Sequence, residues 1–339
     1  MTLQRNAFCC PLCKGSLGDD QASYYCAACE RRFPVVLGIP DFRVFPDPYI
    51  DYDDDREKAK YLVEHHDKLD FMGLVRLYWQ ITPEVSEDRA ERFIRRTAAL
   101  VDKGNECLSL IESLTGNERL SGFKKVLEIG CGTGGFLVAA KRKYEDVIGA
   151  DIAFRWLVVA RKRLQELNAN VPLVCCCAEF LPFPDQRFDI ILAEDVLEHV
   201  RSQEETLAEC RRLLTGRGVL FLATPNRFSV TPEPHVHVWG VGFIPRKWMN
   251  RYVRFVKGIN YEHIRVLSFM ELKRILNRCG LDNHRILLPS ISSHEAQYFS
   301  PVQRMQLALY NVVRRIPVVR WVLYLFGPFF NVVVFADKK

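Results

Sequence analysis

The stretch Glu128-Ile-Gly130-Cys-Gly132-Thr-Gly134-Gly135 decides which fold the sequence predicts. It follows the apolar run Val126–Ile129 and precedes a helical pattern, so the backbone turns from a strand into a helix within the glycines. Glycine is needed there because a tight turn and a close ligand leave no room for a Cβ atom. Asp151 ends the next apolar run, 19 residues after Gly132, where a carboxylate can accept both hydroxyls of an adenosine ribose.

Short apolar runs separated by helical patterns follow one another from Lys124 onward. Continuous apolar strands are typical of a parallel sheet that is buried on both faces. Their alternation with helices predicts a doubly wound α/β domain. The predicted strands are Val126–Ile129, Val147–Ala150, Leu173–Cys177, Phe188–Ala193, Val219–Ala223, Leu281–Leu288 and Phe329–Ala336.

The composition limits the class of protein. A chain of 339 residues accommodates about two domains, and 48% apolar with 26% charged residues is typical of a globular protein. The net charge of +6 permits contact with phosphates or an anionic membrane without favouring either. Met1 to Phe8 lacks the pattern of a signal peptide, so we expect a cytoplasmic protein with reduced thiols. We find no uninterrupted stretch of ~20 apolar residues that would predict a membrane span.

Two Cys-x-x-Cys pairs, Cys10-Pro-Leu-Cys13 and Cys26-Ala-Ala-Cys29, lie near the start of the sequence with 12 residues between them. Two such turns place four thiolates tetrahedrally around Zn²⁺, and the metal replaces a core that so few residues cannot build. Cys9 is an alternative to Cys10, but the spacing of the second pair favours Cys10. Four thiolates leave no open coordination position, so the predicted zinc of this ribbon is structural.

The glycines alone leave two classes of enzyme open, because Gly130, Gly132 and Gly135 also satisfy the Gly-x-Gly-x-x-Gly pattern of nicotinamide enzymes. Over Lys124 to Leu288, however, the chain resembles class I S-adenosylmethionine-dependent methyltransferases, in particular the ubiquinone-biosynthesis O-methyltransferases. That resemblance implies a Rossmann-like seven-stranded sheet, with the zinc ribbon and further helices added to it. After Asp151, the motifs that carry it are Ala178-Glu-Phe-Leu-Pro-Phe-Pro-Asp185, Phe188-Asp189 and Val196-Leu-Glu-His-Val200.

The resemblance also implies which residues bind S-adenosylmethionine. The glycine turn would line the methionine end, Asp151 would hold the ribose, and Ala178 would face the adenine edge. Many relatives have Asp immediately before this Ala-Glu pair, where this chain has Cys177, so Glu179 or the backbone would take over as acceptor. The full predicted set is Glu128, Gly130, Cys131, Gly132, Gly134, Asp151, Ile152, Cys177, Ala178, Glu179 and Glu194.

A second group of polar residues follows the fourth strand. Asp195, Glu198 and His199 can converge if they lie on one helical turn, and two later histidines flank Val236. The group resembles that of methyltransferases that use a divalent cation, namely the ubiquinone O-methyltransferases and the enzymes that methylate 2′-hydroxyls at small-RNA 3′ ends. The resemblance favours His237 over His235. We therefore predict that Asp195, Glu198, His199 and His237 are catalytic residues that position or deprotonate the acceptor, and they are candidate ligands of Mg²⁺ or another divalent cation. The alternative is a metal-free site in which His199 is a base or a substrate contact.

The sequence divides into a zinc ribbon (1–45), a linker with a helical segment (46–122) and a methyltransferase domain (123–339). The stretch from Asp41 to Glu57 is rich in Pro and Asp and is predicted to be a solvated linker. The final domain contains an insertion at about 289–328, in which a helix is predicted to start at Ser300-Pro301.

The expected partners follow from these parts. The insertion is basic and amphipathic, so residues 300–328 either contact the inner face of an anionic membrane or pack as an extra helix on the sheet. The main prediction is a methyl transfer to a hydroxyl of a small molecule such as a lipid, glycan or secondary metabolite. Two alternatives are an RNA methyltransferase whose ribbon grips RNA, and a non-catalytic adaptor whose ribbon docks a partner protein.

Overall fold

The computed structural model describes residues 7–20, 22–83, 85, 87–289 and 301–337. The first folded element is the ribbon, a four-stranded sheet in the order β1-β2-β3-β4. Residues Cys26 to Arg31 form the turn between its two longest strands, which pair antiparallel. The strands are β1 (Gly18–Asp19), β2 (Ser23–Cys26), β3 (Arg31–Val36) and β4 (Ile39–Pro40).

Helices follow the ribbon. Asp51 and Asp70 cap the first two, because each carboxylate accepts backbone N–H groups from the first helical turn. The helices are α1 (Tyr52–Glu64), α2 (Phe71–Gln80), α3 (Glu87–Ala98), α4 (Leu100–Thr115) and the short α5 (Asn117–Leu120).

The segment between the ribbon and α1 differs from its prediction. Asp41, Arg43 and Asp47 are 3%, 6% and 5% exposed, and Asp55 on α1 is fully buried. The prediction of a solvated linker is therefore wrong for these residues. Its composition was charged, but opposite charges pair inside the protein, and such pairing cannot be recognised from a single segment.

A seven-stranded sheet has the order β10-β11-β9-β8-β5-β6-β7 and confirms the doubly wound α/β prediction. Strands β5 to β8 pair in parallel, and β10 pairs antiparallel with β11. All seven predicted strands are present, with boundaries that shift by a few residues. They are β5 (Lys125–Ile129), β6 (Asp146–Asp151), β7 (Leu173–Cys175), β8 (Phe188–Glu194), β9 (Leu214–Pro225), β10 (His284–Leu287) and β11 (Phe329–Phe335).

Further helices accompany the strands of this sheet. The helix α10 begins at a capping box, a motif that Ser268 and Glu271 mark by their spacing, and both of its hydrogen bonds are present. Ser300 lies outside the described residues, so the predicted start of the helix in the insertion can be followed only from Pro301. The helices are α6 (Gly135–Lys141), α7 (Phe154–Glu166), α8 (Gln203–Leu213), α9 (Arg246–Lys257), α10 (Phe269–Arg278), α11 (Pro301–Arg315) and α12 (Trp321–Phe326).

The chain separates into two compact units. One contains the described residues up to Ala193 together with Glu205–Leu220, and the other contains Glu194–Glu204 with the described residues from Phe221 onward. The first unit carries the ribbon, the glycine turn and Asp151. The second carries the predicted cation ligands. Among the described residues, no helix has the length and apolarity needed to cross a membrane.

Candidate functional site

The glycine turn between β5 and α6 has the backbone that its sequence requires. Gly130, Gly132 and Gly134 have φ angles of 73°, 48° and 74°, in the left-handed region that favours glycine. The carboxylate of Asp151 accepts hydrogen bonds from the backbone N–H of Gly132 at 2.7 Å and of Ala153 at 2.8 Å. The end of β6 is thereby tied to the glycine turn, at the carboxyl edge of the parallel strands, where doubly wound folds bind nucleosides.

The ionisation of Asp151 depends on its environment. Burial raises the pKa of this carboxyl from 3.8 to about 6, although the two N–H donors act in the opposite direction. The group is therefore ionised at neutral pH. An ionised carboxylate has four lone pairs and the described residues use two of them, so it can still accept ribose hydroxyls.

The other predicted cofactor residues are distributed around this edge and on neighbouring strands. Glu128 is buried on β5, and Glu194 is the last residue of β8. The thiol of Cys177 is fully buried and donates to the carbonyl of Phe45 at 3.5 Å, so it is directed towards the chain that follows the ribbon. Ile152 follows β6, and Ala178 and Glu179 follow β7.

The four ribbon cysteines come together. Cys10, Cys13, Cys26 and Cys29 bring their Sγ atoms within 4.8 Å of one another. Sγ of Cys10 lies 3.8 Å from that of Cys29, and Sγ of Cys13 lies 3.5 Å from that of Cys26. Zn–S bonds of about 2.3 Å in a tetrahedron place sulfurs about 3.8 Å apart, so the cluster fits Zn²⁺. Cys9 is outside this cluster, and its backbone N–H donates to Pro182 instead.

A second cluster lies in the other unit and consists of Glu198, His199 and His235, with one ligand atom of each within 4.8 Å of the others. Glu198 is fully buried, and its Oε2 accepts a hydrogen bond from Thr224 at 3.1 Å. Its Oε1 accepts none from the part of the chain that is described, and it lies 3.9 Å from Nε2 of His235. A buried carboxylate oxygen without a donor beside two imidazoles is a donor set that fits a divalent cation.

The electrostatics of this cluster agree with its geometry. Burial and the nearby charge of Asp195 raise the pKa of Glu198 well above its ordinary value. Burial, and to a smaller extent the neighbouring imidazole of His235, lower the pKa of His199 to about 4, so the His199 imidazole is neutral at physiological pH. A neutral imidazole is the form that binds a cation, whereas the raised pKa of Glu198 indicates that a positive charge beside it would be favourable.

Two of the predicted ligands, Asp195 and His237, do not belong to the cluster that contains Glu198 and His199. Asp195 lies before the turn with a left-handed backbone, φ 55°, and its N–H donates to Ala223. A hydrogen bond from His199 N–H to the carbonyl of Val196 closes the turn at Glu198, and this turn is not part of a helix. Asp195 is still close enough to act on Glu198 through its charge.

The second histidine of the cluster is His235, and not His237, which the sequence analysis favoured. The backbone N–H of His237 donates to the carbonyl of Glu233 at 2.7 Å, which winds the chain into a turn. Because of this turn, the side chains of His235 and His237 point in different directions. His235 is half-buried at the cluster, and His237 is exposed with a left-handed backbone.

Sequence reasoning missed Glu233, which is 7% exposed. Its Oε1 lies 2.5 Å from Nδ1 of His235, and its Oε2 accepts from the backbone N–H groups of His235 and Val236. Tyr261 lies behind it, with its hydroxyl 3.5 Å from Oε1. The available signal was a carboxylate two residues before a candidate histidine, because metal-binding histidines are usually oriented by such a partner.

The comparisons with known proteins point to methyltransferases. Residues 127–222 match the family model described as a methyltransferase domain. A ubiquinone biosynthesis O-methyltransferase from Cereibacter sphaeroides is 30% identical over 158 residues, which are 47% of this chain and 60% of that protein. The enzyme of the same name from Roseobacter denitrificans is 31% identical over 158 residues, with the same coverage of 47% and 60%. The chain thus spans less than two thirds of the length of these curated relatives.

Solved structures with a similar fold include a phosphoethanolamine N-methyltransferase 2 from Haemonchus contortus in complex with S-adenosylmethionine. It is 15% identical with a TM-score of 0.42, over 64% of this chain and 49% of that one. The YcgJ protein from Bacillus subtilis is 20% identical with a TM-score of 0.41, over 64% and 93% of the two chains.

The family match assigns a methyltransferase domain to residues 127–222, and the seven-stranded sheet and the glycine turn agree with the resemblance to class I S-adenosylmethionine-dependent methyltransferases. A four-cysteine cluster that fits zinc precedes this domain.

Proposed function

We propose that the protein is an S-adenosylmethionine-dependent O-methyltransferase that methylates a hydroxyl of a small molecule with the help of a divalent cation. The observation that carries this proposal is the cluster of Glu198, His199 and His235. Its support from outside the structure is the similarity to enzymes named as ubiquinone biosynthesis O-methyltransferases.

The identity of the cation follows from the donor atoms. Two imidazole nitrogens and one carboxylate oxygen suit Mn²⁺, Fe²⁺, Co²⁺ or Zn²⁺, whereas Mg²⁺ prefers oxygen ligands alone. Glu198, His199 and His235 would hold the ion, and Glu233 would orient His235 from behind. Asp195 would add negative charge beside the site, which favours a cation further.

The chemistry needs a hydroxyl that is both oriented and partly deprotonated. A bound divalent cation would lower the pKa of the hydroxyl as a Lewis acid. His199 is neutral, so its lone pair is available to the ion, and the proton of the hydroxyl would pass to solvent. The oxygen then forms a bond to the methyl carbon as the carbon–sulfonium bond breaks, leaving S-adenosylhomocysteine and a proton. Asp151 and the glycine turn would hold the cofactor by its ribose and its methionine end.

We also propose that α11 and α12 contact an anionic membrane surface. Neither helix has a buried residue. Met305, Leu309 and Val318 are 68%, 64% and 85% exposed, and no acidic residue occurs from Gln297 to Ala336. Exposed apolar side chains that alternate with arginines match the apolar interior and the negative surface of such a membrane. A small-molecule acceptor of lipid character would then be taken from that surface.

The function is tested with methyl-labelled S-adenosylmethionine and a cell extract separated into lipid, polar and RNA fractions. We expect label in the lipid or polar fraction, on oxygen, lost after brief chelation and restored by Mn²⁺. The zinc content is measured after chelation to exclude loss of the ribbon metal. Label confined to RNA would contradict the choice of substrate. A protein that does not bind S-adenosylmethionine at all would be an adaptor instead.

A further inference from the structure

A buried network of charges joins the chain after the ribbon to α1 and α7. The side chains of Asp41, Arg43 and Asp55 are 0–1% exposed. Arg43 bridges the other two, with Nη2 at 2.8 Å from Asp41 and Nη1 at 2.6 Å from Asp55. Asp55 also binds Nη1 of Arg155 at 2.9 Å, and this arginine reaches Asp47 at 2.9 Å. Each charged side chain of the network is paired with one of opposite charge, as the burial of charges requires.

This network ends on the turn that follows Asp151. The N-cap of α7 is Ala153, which has no side chain that could cap a helix. Asp55 supplies the missing cap from a position 99 residues earlier in the chain, because its carboxylate accepts the backbone N–H of Phe154 at 2.9 Å and of Arg155 at 3.2 Å. Arg43 binds the carbonyl of Ile152 at 3.3 Å.

The ribbon fixes the other end of the network. Asp41 directly follows β4, and its backbone N–H donates to Pro34 of β3. Phe42 N–H donates to Cys175, so the chain leaving the ribbon pairs with β7, the outermost strand of its sheet. Lys14 in the ribbon forms a further ion pair, with Glu209 at 2.6 Å. The ribbon therefore covers a sheet edge that would otherwise have unpaired backbone groups.

We infer that the zinc ribbon is a structural part of the cofactor site, and that Arg43 and Asp55 are positioning residues for the turn from Asp151 to Arg155. The turn carries the carboxylate assigned to the ribose, yet the residue at the N-cap of the helix that follows it, Ala153, has no side chain to cap α7. Zinc folds the ribbon, the ribbon places Asp41 and Arg43, and these residues hold Asp55 against the turn. This inference rests on the proposed binding of S-adenosylmethionine.

The first test compares Asp55→Asn with Asp189→Asn. Asp189 is a matched control in the same unit, because its carboxylate also accepts two backbone N–H groups from a distant segment, those of Lys124 and Lys125. We expect Asp55→Asn to raise the Kd of S-adenosylmethionine on the order of tenfold, with faster amide exchange at Phe154 and Arg155. Asp189→Asn should leave both unchanged. Equal affinities of wild type and Asp55→Asn would overturn the inference.

The second test uses the wild-type chain and decides the matter even if Asp55→Asn does not fold. Zinc is removed by chelation, and amide exchange and S-adenosylmethionine binding are measured before and after zinc is restored. We expect zinc removal to expose the amides of Phe154 and Arg155 and to weaken binding about tenfold, and zinc to reverse both. A zinc-free protein with a disordered ribbon and an unchanged Kd would overturn the inference. Absence of binding in the zinc-loaded wild type would instead contradict the proposed function.

Discussion

Nδ1 of His235 and Oε1 of Glu233 are 2.5 Å apart, and this contact determines what the other ring nitrogen can do. An ionised carboxylate can only accept, so Nδ1 carries the proton and Nε2 presents its lone pair towards Glu198, 3.9 Å away. The backbone N–H groups of His235 and Val236 hold the carboxylate in place. Glu233 therefore sets both the tautomer and the direction of the candidate ligand.

We expect Glu233→Ala to weaken Mn²⁺ binding by about 10- to 100-fold, because metal-binding histidines lose affinity when their orienting partner is removed. Mn²⁺ suits the measurement, by electron paramagnetic resonance on zinc-loaded protein, because it avoids thiolate sites. His284→Ala is the control, since His284 lies on β10 and contacts the carbonyl of Leu281. His235→Ala should abolish binding and His237→Ala should not. If His237→Ala abolishes binding and His235→Ala does not, the ligand is His237, as the sequence analysis favoured.

The affinity for S-adenosylmethionine should depend on pH through Asp151. Its pKa is raised to about 6, so the carboxylate is ionised above that pH and protonated below it. Ribose hydroxyls donate to the ionised form, and we therefore expect the Kd to rise as pH falls below about 6, approaching tenfold per pH unit. Calorimetric titrations across this range check the slope. Asp151→Asn should bind weakly with a flat profile, and a persisting slope in this variant would assign the titration to another group.

The same carboxyl should affect stability in the opposite sense. The pKa of Asp151 is raised from 3.8 to about 6 in the folded protein, which means that the ionised carboxylate opposes folding. The free energy of unfolding therefore decreases as pH rises from 3.8 to about 6. Without cofactor, Asp151→Asn should therefore increase the free energy of unfolding at neutral pH by about 1–2 kcal/mol. Urea denaturation measures the change. No gain at neutral pH would indicate that the burial of this carboxylate costs little.

The contact between α4 and α6 leaves no space at Gly135. A Cβ atom there would lie 2.4 Å from Cβ of Leu100 and 2.7 Å from its backbone carbonyl. We expect Gly135→Ala to lower the free energy of unfolding by about 1–3 kcal/mol, because a backbone cannot move aside as a flexible side chain can. Gly216→Ala is the control, since nothing lies within 4 Å of its added Cβ. Similar stabilities of the two variants in denaturant would show that α4 can shift.

The parts of the molecule that the sequence predicted correctly are those set by neighbouring residues. The seven strands follow from apolar runs, the start of α10 follows from Ser268 and Glu271, and the cysteine cluster follows from two short spacings. In each of these cases the deciding interaction spans a few residues or repeats along one element.

The parts that the sequence did not predict depend on partners far apart in the chain. Asp55 caps a helix 99 residues later, and nothing in its own segment distinguishes it from the exposed Asp53 and Asp54 beside it. Whether His235 or His237 joins the cluster depends on the conformation of the turn from Glu233 to His237. The sequence around Val236 does not reveal that conformation.

Vesicle binding should depend on the exposed apolar residues of α11. Met305, Leu309 and Val312 are 68%, 64% and 57% exposed, so replacing them with Gln removes no core contacts and should leave the free energy of unfolding unchanged. On vesicles containing phosphatidylglycerol, each replacement should weaken partitioning about fivefold, since less apolar surface leaves water. Sedimentation with the vesicles measures the bound fraction, and Gln306→Asn, another exposed position of α11, is the control.

The arginines should act on the same equilibrium in a different way. Replacing Arg304 and Arg315 with Gln should weaken binding to anionic vesicles about fivefold per residue, because each loses its attraction to the surface charge. The loss should disappear in high salt and on neutral phosphatidylcholine, whereas the effect of the apolar replacements should persist in both. Equal binding of the apolar variants and the wild type would mean that the exposed face of α11 serves a protein partner or packs on another part of the chain. Wild-type protein that remains in the supernatant with anionic vesicles would exclude the membrane contact directly.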